Sequence, residues 1–392
     1  MTKFLRPLRD FSFLALVTLL SFSAQAITPK APALAAKSYV LMDFNSGKII
    51  AQNNPDLPVA PASLTKMMTS YVVSAELAAG NISLDDQVTI SANAYAQNPI
   101  FKGGSLMWLE VGKQVTVEKL IKGLIISSGN DAAVALAEYV AGTEEAFTEL
   151  MNHHALKLGM TNTRFANSHG LSANDHNTTA RDMAILALAL IRDFPQEYEL
   201  YKETEFTYNN IQTYNRHPLL SDPTLNVDGI KTGHTEEAGF CLVSSATKSG
   251  MRLISVVMGT KSKQARKVES KKILSYGFRF YETVKPLQAG KQLHSSRIWM
   301  GERDQVELGI NQDIFVTIPR GKASKLKAQF VVEKDLSAPI KKGQRAGKVF
   351  FILEKETIAE YPLVALVEVK EAGFFGRAAD SISRWFSGLF ED

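Results

Sequence analysis

Pro61-Ala62-Ser63-Leu64-Thr65-Lys66 leads into a run, Met67 to Ala79, of good helix formers with periodic apolar residues, closed by Gly80-Asn81. Proline ahead of such a run and glycine after it mark a helix start and stop, so Ser63 is expected in the first turn. Positions i and i+3 lie on one helix face, which puts the Lys66 amine within reach of the Ser63 hydroxyl. A serine becomes a nucleophile when a base takes its proton, and a lysine is a base once its pKa falls. The positive end of the helix dipole, desolvation and a second cation nearby all push a lysine that way. The spacing alone carries little weight, since Ser-x-x-Lys is expected about once or twice in a chain of this composition. Ser245 to Lys248 and Ser324 to Lys327 also match, and neither opens an apolar-periodic helix. Taken by itself, the Ser63 motif fits a helix cap as well as a nucleophile.

Around this stretch the chain has ordinary globular chemistry: 392 residues, 45% hydrophobic and 21% charged, enough for two or three domains. A formal charge of +4, evenly spread, gives no footprint for nucleic acid. Lys3, Arg6 and Arg9 precede an apolar run, Phe11 to Phe22, and then Ala24-Gln25-Ala26, the form of a cleaved export signal covering residues 1–26. Cys241 is the only cysteine, so the exported chain carries no internal disulfide and no lipid-modified terminal cysteine.

Tyr39 to Phe44 and Lys48 to Ala51, joined through Asn45-Ser46-Gly47, predict a hairpin. Leu84 to Gly112 is mixed, with Lys102-Gly103-Gly104-Ser105 as a loop on a working face. Val117 to Ile126 and Asp131 to Val140 predict two helices broken by Ser127-Ser128-Gly129-Asn130, followed by helices over Phe147 to Leu158 and Thr179 to Ile191. A short strand, Gly229 to Thr235, a hairpin of Gly239 to Thr247 with Arg252 to Met258, and a helix over Gln264 to Glu282 complete the pattern. Strands at both ends of a helical insertion indicate an α/β domain over residues 27–284: an antiparallel sheet packed on a helical cluster, with the site between them. From Lys285-Pro286 onward, alternating β-rich segments predict a small all-β domain to residue 370. The last stretch, Phe374 to Phe390 within residues 371–392, is amphipathic at about 100° per residue. Phe374, Phe375, Ala378, Ile382, Trp385, Phe386 and Leu389 share one face, and Arg377, Asp380, Ser383, Arg384 and Ser387 the other. It is too short to span a bilayer and suited to lying on a membrane surface, with docking on its own β domain as the alternative.

Two further stretches bear on Ser63. Ser128-Gly129-Asn130 places a hydroxyl that can relay a proton beside an amide that both donates and accepts; Ser91-Ala92-Asn93 and Ser172-Ala173-Asn174 match the same pattern. Lys231-Thr232-Gly233 occurs once, on a predicted strand, where the lysine and hydroxyl can hold a carboxylate and Gly233 can admit a ligand backbone. Ser-x-x-Lys, Ser-x-Asn and Lys-Thr-Gly in this order resemble the penicillin-interacting serine enzymes. With the leader, the β domain and the terminal helix, nearly the whole chain is similar to D-alanyl-D-alanine carboxypeptidases of the penicillin-binding protein 5 and 6 type.

That resemblance implies a penicillin-binding/β-lactamase-like fold, Ser63 as nucleophile, Lys66 as its base and Ser128 as proton relay, with Asn130 lining the cleft. It implies added positive charge from Lys231 and carboxylate binding by Thr232 and Thr235. It also implies an oxyanion hole made by the backbone N–H groups of Ser63 and His234. Arg216 and Arg266 are electrostatic support or, alternatively, solvated surface cations. The implied substrate is the peptidoglycan pentapeptide, with β-lactams as covalent inhibitors, in the periplasm at the outer face of the inner membrane. Gly129 stands where class A β-lactamases have aspartate, and no glutamate lies between Glu149 and Glu197 to aim a deacylating water, so rapid penicillin hydrolysis is not expected. His153-His154 and the other histidines lack zincin spacing, so neither metal nor cofactor is expected. Cleavage or transfer at peptide crosslinks, and a non-catalytic wall-binding protein, remain open alternatives.

Overall fold

The computed structural model describes residues 29–388, so the expected leader, residues 1–26, lies outside the described residues. Five antiparallel strands form the main sheet in the order Ile49–Asn53, Ser38–Asp43, Met251–Thr260, Gly239–Lys248, Asn226–Thr235. Alternation along the strands explains their burial on both faces. Val40 and Met42, with Val243, Ile254 and Val256, enter a core shared with the helical cluster, while Tyr39 and Leu41, with Leu242 and Leu253, face the helix Lys263–Phe280. The chain's early hairpin thus pairs with its last two long strands, and residues 54–225 are an insertion packed on one face.

The Ser63 helix runs through the middle of that insertion. A 3-10 turn, Ala62–Leu64, feeds directly into Thr65–Ala78, whose residues from Thr65 to Ser74 are all buried. A helix apolar on nearly every side is a core helix, so its first turn is rigidly placed. Thr65 and Thr69 are held by His176 and by the carbonyl of Ser168, which ties the loop 159–179 to the helix.

Four local expectations change in detail. The segment predicted as one helix from Val117 ends as α-helix at Lys122 and widens into a π turn, Gly123–Ser127; such turns redirect a chain at working positions. The strand around Lys231 begins at Asn226 rather than Gly229. The last helix of the sheet domain stops at Phe280, and Tyr281 already opens a strand, Tyr281–Leu287, paired with Ile314–Pro319. Within Leu84 to Gly112, Gln87–Thr89 forms a strand that pairs with Gln114–Thr116.

The C-terminal domain adds a five-stranded antiparallel sheet over residues 294–365. Its seam with the sheet domain is polar: Thr283 donates to the buried carboxylate of Asp43 at 2.6 Å, the Ser46 and Thr317 hydroxyls lie 2.5 Å apart, and Lys48 donates to the Thr317 carbonyl at 3.1 Å. The final helix, Phe374–Gly388, turns its polar side inward, where Asp380 accepts the Met300 N–H at 2.6 Å. Phe374, Phe375 and Ile382 stand 73%, 86% and 60% exposed. Trp385, Phe386 and Leu389, expected on the same face, fall outside the described side chains.

Gly170 closes the loop 159–179 against the Ser63 turn: it has φ +90°, and a Cβ there would lie 1.9 Å from the Ala62 carbonyl oxygen. Gly170→Ala is therefore expected to cost about 3 kcal/mol in denaturant unfolding, through overpacking added to a left-handed backbone. Gly80→Ala, at φ +73° with open space around it, should cost about 1 kcal/mol; equal losses would contradict the close packing.

Candidate active site

Three segments far apart in sequence meet at one cleft of about 730 Å³, lined by Ser63, Ser128, Asn130, Thr232, His234 and Arg266 among others. Ser63 caps nothing: no side-chain cap bond is made at the start of its turn or of the helix it feeds. Its Oγ lies 3.3 Å from Lys66 Nζ.

Lys66 is 1% exposed. Its amine donates to Asn130 Oδ1 at 2.7 Å and to the backbone carbonyl of His169. Both of these are acceptors that cannot donate, so they fix two N–H bonds of the amine. In a neutral amine the remaining tetrahedral position is the lone pair, directed at the Ser63 hydroxyl. Burial lowers the Lys66 pKa to about 7, with Arg216 pushing the same way and the carboxylates of Asp131 and Glu144 opposing. The neighbouring His169 and His176 are lowered to about 3 and about 4, again by burial first and by the Lys66 charge second. Lys66 is therefore the strongest base of this buried group.

Ser128 occupies the left-handed region, φ 58°, at the end of the π turn and before the helix Asn130–Ala141. That bend puts Asn130 at Lys66. The Asn130 N–H is bonded to the Ser105 carbonyl at 2.8 Å, and Asp131 next to it accepts the N–H groups of Met107, Trp108 and Leu109 at 2.8, 2.8 and 3.0 Å. Burial raises the Asp131 pKa, and these backbone bonds oppose the rise.

Lys231, Thr232, Gly233, His234 and Thr235 end the outermost strand of the sheet, whose free edge faces the cleft. Lys231 is buried, and its pKa falls well below the usual lysine value through burial and then through Lys66, Arg216 and Arg266. The bare face of Gly233 is filled by the Ser63 turn: a Cβ would lie 3.1 Å from Leu64 Cγ and from the Pro61 oxygen. The glycine expected to admit a ligand also packs closely against the turn that carries the serine. His234 stacks on Phe240 with ring centroids 3.9 Å apart. Thr235 Oγ1 accepts the Ala238 N–H at 3.0 Å, leaving its own proton free to donate.

Of the two arginines, Arg216 is exposed and Arg266 is buried. Arg216 lines the cleft and donates to Ser105 Oγ. Arg266, 7% exposed, donates to the carbonyls of Gly233 and Cys241 at 3.3 and 3.4 Å, and its Nε finds no partner among the described residues. The loop Lys102-Gly103-Gly104-Ser105, expected on a working face, does line the cleft. Sequence reasoning missed Asp131, His169 and Glu144, which bonds the Ser168 N–H and hydroxyl at 2.9 and 2.6 Å; Asp131 beside Asn130 at a helix start was a visible hint.

Residues 25–262 match the family described as D-alanyl-D-alanine carboxypeptidase, and residues 281–371 match the C-terminal domain of penicillin-binding protein 5. The chain is 50% identical over 368 residues to the D-alanyl-D-alanine carboxypeptidase DacA of Escherichia coli (strain K12), covering 93% of this chain and 91% of that protein. The solved structure of penicillin binding protein 5 from Haemophilus influenzae is 48% identical, with a TM-score of 0.85 over 88% of this chain and 100% of that one. Penicillin-binding protein D2 from Listeria monocytogenes, solved in its ampicillin-bound form, is 26% identical with a TM-score of 0.56, over 64% of this chain and 100% of that one. The chain belongs to the D-alanyl-D-alanine carboxypeptidase family of serine peptidases.

Proposed function

We propose that Ser63 is the nucleophile with which this D-alanyl-D-alanine carboxypeptidase removes the last D-alanine from peptidoglycan pentapeptide stems. The observation that carries the reading is the Lys66 amine, buried, held by two acceptors and 3.3 Å from Ser63 Oγ. Neutral Lys66 takes the Ser63 proton as Oγ attacks the carbonyl carbon between the two D-alanines. The N–H groups of Ser63 and His234 receive the developing oxyanion, which they stabilise most once charge has formed. Ser128 relays the proton to the departing amine, D-alanine leaves, and water then resolves the ester on Ser63. A β-lactam follows the same first step, but its leaving group stays tethered and the acyl-enzyme persists.

A terminal carboxylate suits the rest of the cleft. Thr232 and Thr235 offer hydroxyl donors, and Lys231, Arg216 and Arg266 supply positive charge in a site partly screened from water. The unpaired strand edge, whose residues 232–235 line the cleft, can pair with an extended peptide. Residues 27–284 are the catalytic unit in this reading, and residues 285–370 a domain that sets the cleft away from the membrane. Residues 371–392 lie on the outer face of the cytoplasmic membrane, after export on residues 1–26. The outward apolar side of the last helix supports that placement, and none of the described helices is long and apolar enough to cross a bilayer.

Release of D-alanine from a stem pentapeptide tests the chemistry. Below the Lys66 pKa of about 7, kcat/KM should rise about tenfold per pH unit and then level off. Arg216→Ala should move the midpoint upward, because a neighbouring cation is lost. An otherwise identical peptide with a C-terminal amide should react about 100-fold more slowly. A flat pH profile, or equal rates on acid and amide, would contradict the assignment. For the tail, the chain should cosediment with lipid vesicles while a version lacking residues 371–392 stays in solution; equal binding would sink the anchor.

A further inference from the structure

Beside the cleft lies a second groove, of about 600 Å³, that the peptide chemistry does not use. Its walls are residues 95–97 and 108–111 on one side and, on the other, Asn209 and Ile211 at the turn of the hairpin of Glu205–Tyr208 with Ile211–Tyr214. Trp108 is 44% exposed at its mouth, with Val111 and Ile211 also open to water, and Gln97, Glu110 and Asn209 supply polar groups along the rim. Trp108 sits at φ 72°, a left-handed conformation rare for a bulky residue. Its N–H is bonded to Asp131, so the backbone is held where the indole is turned out of the core.

Both walls of the groove are continuous along the chain with residues of the active-site cleft. The segment carrying Trp108 also carries Ser105, which lines the cleft and bonds Arg216. On the other wall, Thr213 pairs with Ser127 at 2.6 Å, next to Ser128. From Ile211 to Arg216 is five residues, roughly 17 Å if extended, which is the span of an extended pentapeptide. A stem whose terminal carboxylate sits at the cleft would bring its far end, where peptide joins glycan, to Trp108. An open aromatic face flanked by amides and a carboxylate is the chemistry that stacks on a sugar ring and bonds its hydroxyls.

We propose that this groove is a saccharide subsite, in which Trp108 holds the amino-sugar end of the substrate while the peptide terminus occupies the cleft. The assignment rests on the carboxypeptidase reading above. Its test compares D-alanine release from a free stem pentapeptide and from the same pentapeptide carried on its disaccharide, for the unaltered chain and for Trp108→Ala. The sugar-bearing substrate should be favoured about tenfold in kcat/KM, chiefly through KM, the scale lost when one aromatic anchor is truncated. In Trp108→Ala the ratio should fall to about one. A ratio near one in the unaltered chain, or a ratio that survives in the variant, overturns the subsite. If neither substrate is cleaved, it is the carboxypeptidase reading that fails. The subsite is then decided by NMR titration with a β-1,4-linked N-acetylglucosamine tetramer: shifts confined to Trp108 and the hairpin support it, and their absence overturns it.

Discussion

The burial of one amine governs the rest of this site. A charged lysine away from water is costly, and the molecule relieves that cost by letting the group titrate near neutrality. Lys66, at about 7, is lowered by burial and by the charge of Arg216 and held up by the carboxylates of Asp131 and Glu144. Removing those carboxylates would lower the value further, and removing the burial would return the group to an ordinary, protonated lysine. Hydrogen bonding then orients the neutral amine. With two N–H bonds committed to Asn130 and the His169 carbonyl, the lone pair has one direction left.

This arrangement demands that three distant segments approach within a few ångströms, and the fold supplies the approach through backbone packed without side chains. Gly170 and Gly233 let the loop 159–179 and the edge strand pack closely on the Ser63 turn. Asp131 gathers the N–H groups of Met107, Trp108 and Leu109, which brings Ser105 to Asn130 and Arg216. The same carboxylate holds Trp108 outward, so the groove and the cleft share one support. The polar seam at Asp43, Thr283 and Thr317 joins the C-terminal domain to the sheet edge opposite the cleft, away from the chemistry.

Much of this was legible in the residues because it is encoded locally. The helix after Ser63 has its proline and glycine punctuation, the two hairpins have alternating apolar residues around turn residues, and each of the three motifs is a contiguous tripeptide or tetrapeptide. What escaped depends on contacts between segments. The π turn at Gly123–Ser127 has the apolar spacing of an ordinary helix. The strand through Lys231 extends back to Asn226 because Val227 pairs with Ala246, a partner the local pattern does not name. Glu144 and His169 belong to the site only through the folded loop, and Gly233 serves the Ser63 turn because Leu64 and Pro61 lie there. Arg266 could not be separated from a surface cation until the fold buried it.

Intact-protein mass spectrometry after mixing with a penicillin tests the central claim, that buried, neutral Lys66 makes Ser63 an acylated nucleophile. The account predicts one lasting adduct of the drug's full mass on the unaltered chain and none on Ser63→Ala. The adduct should form more slowly as the pH is taken below about 7. An adduct that persists in Ser63→Ala, or a well-folded chain that takes up none, would contradict it.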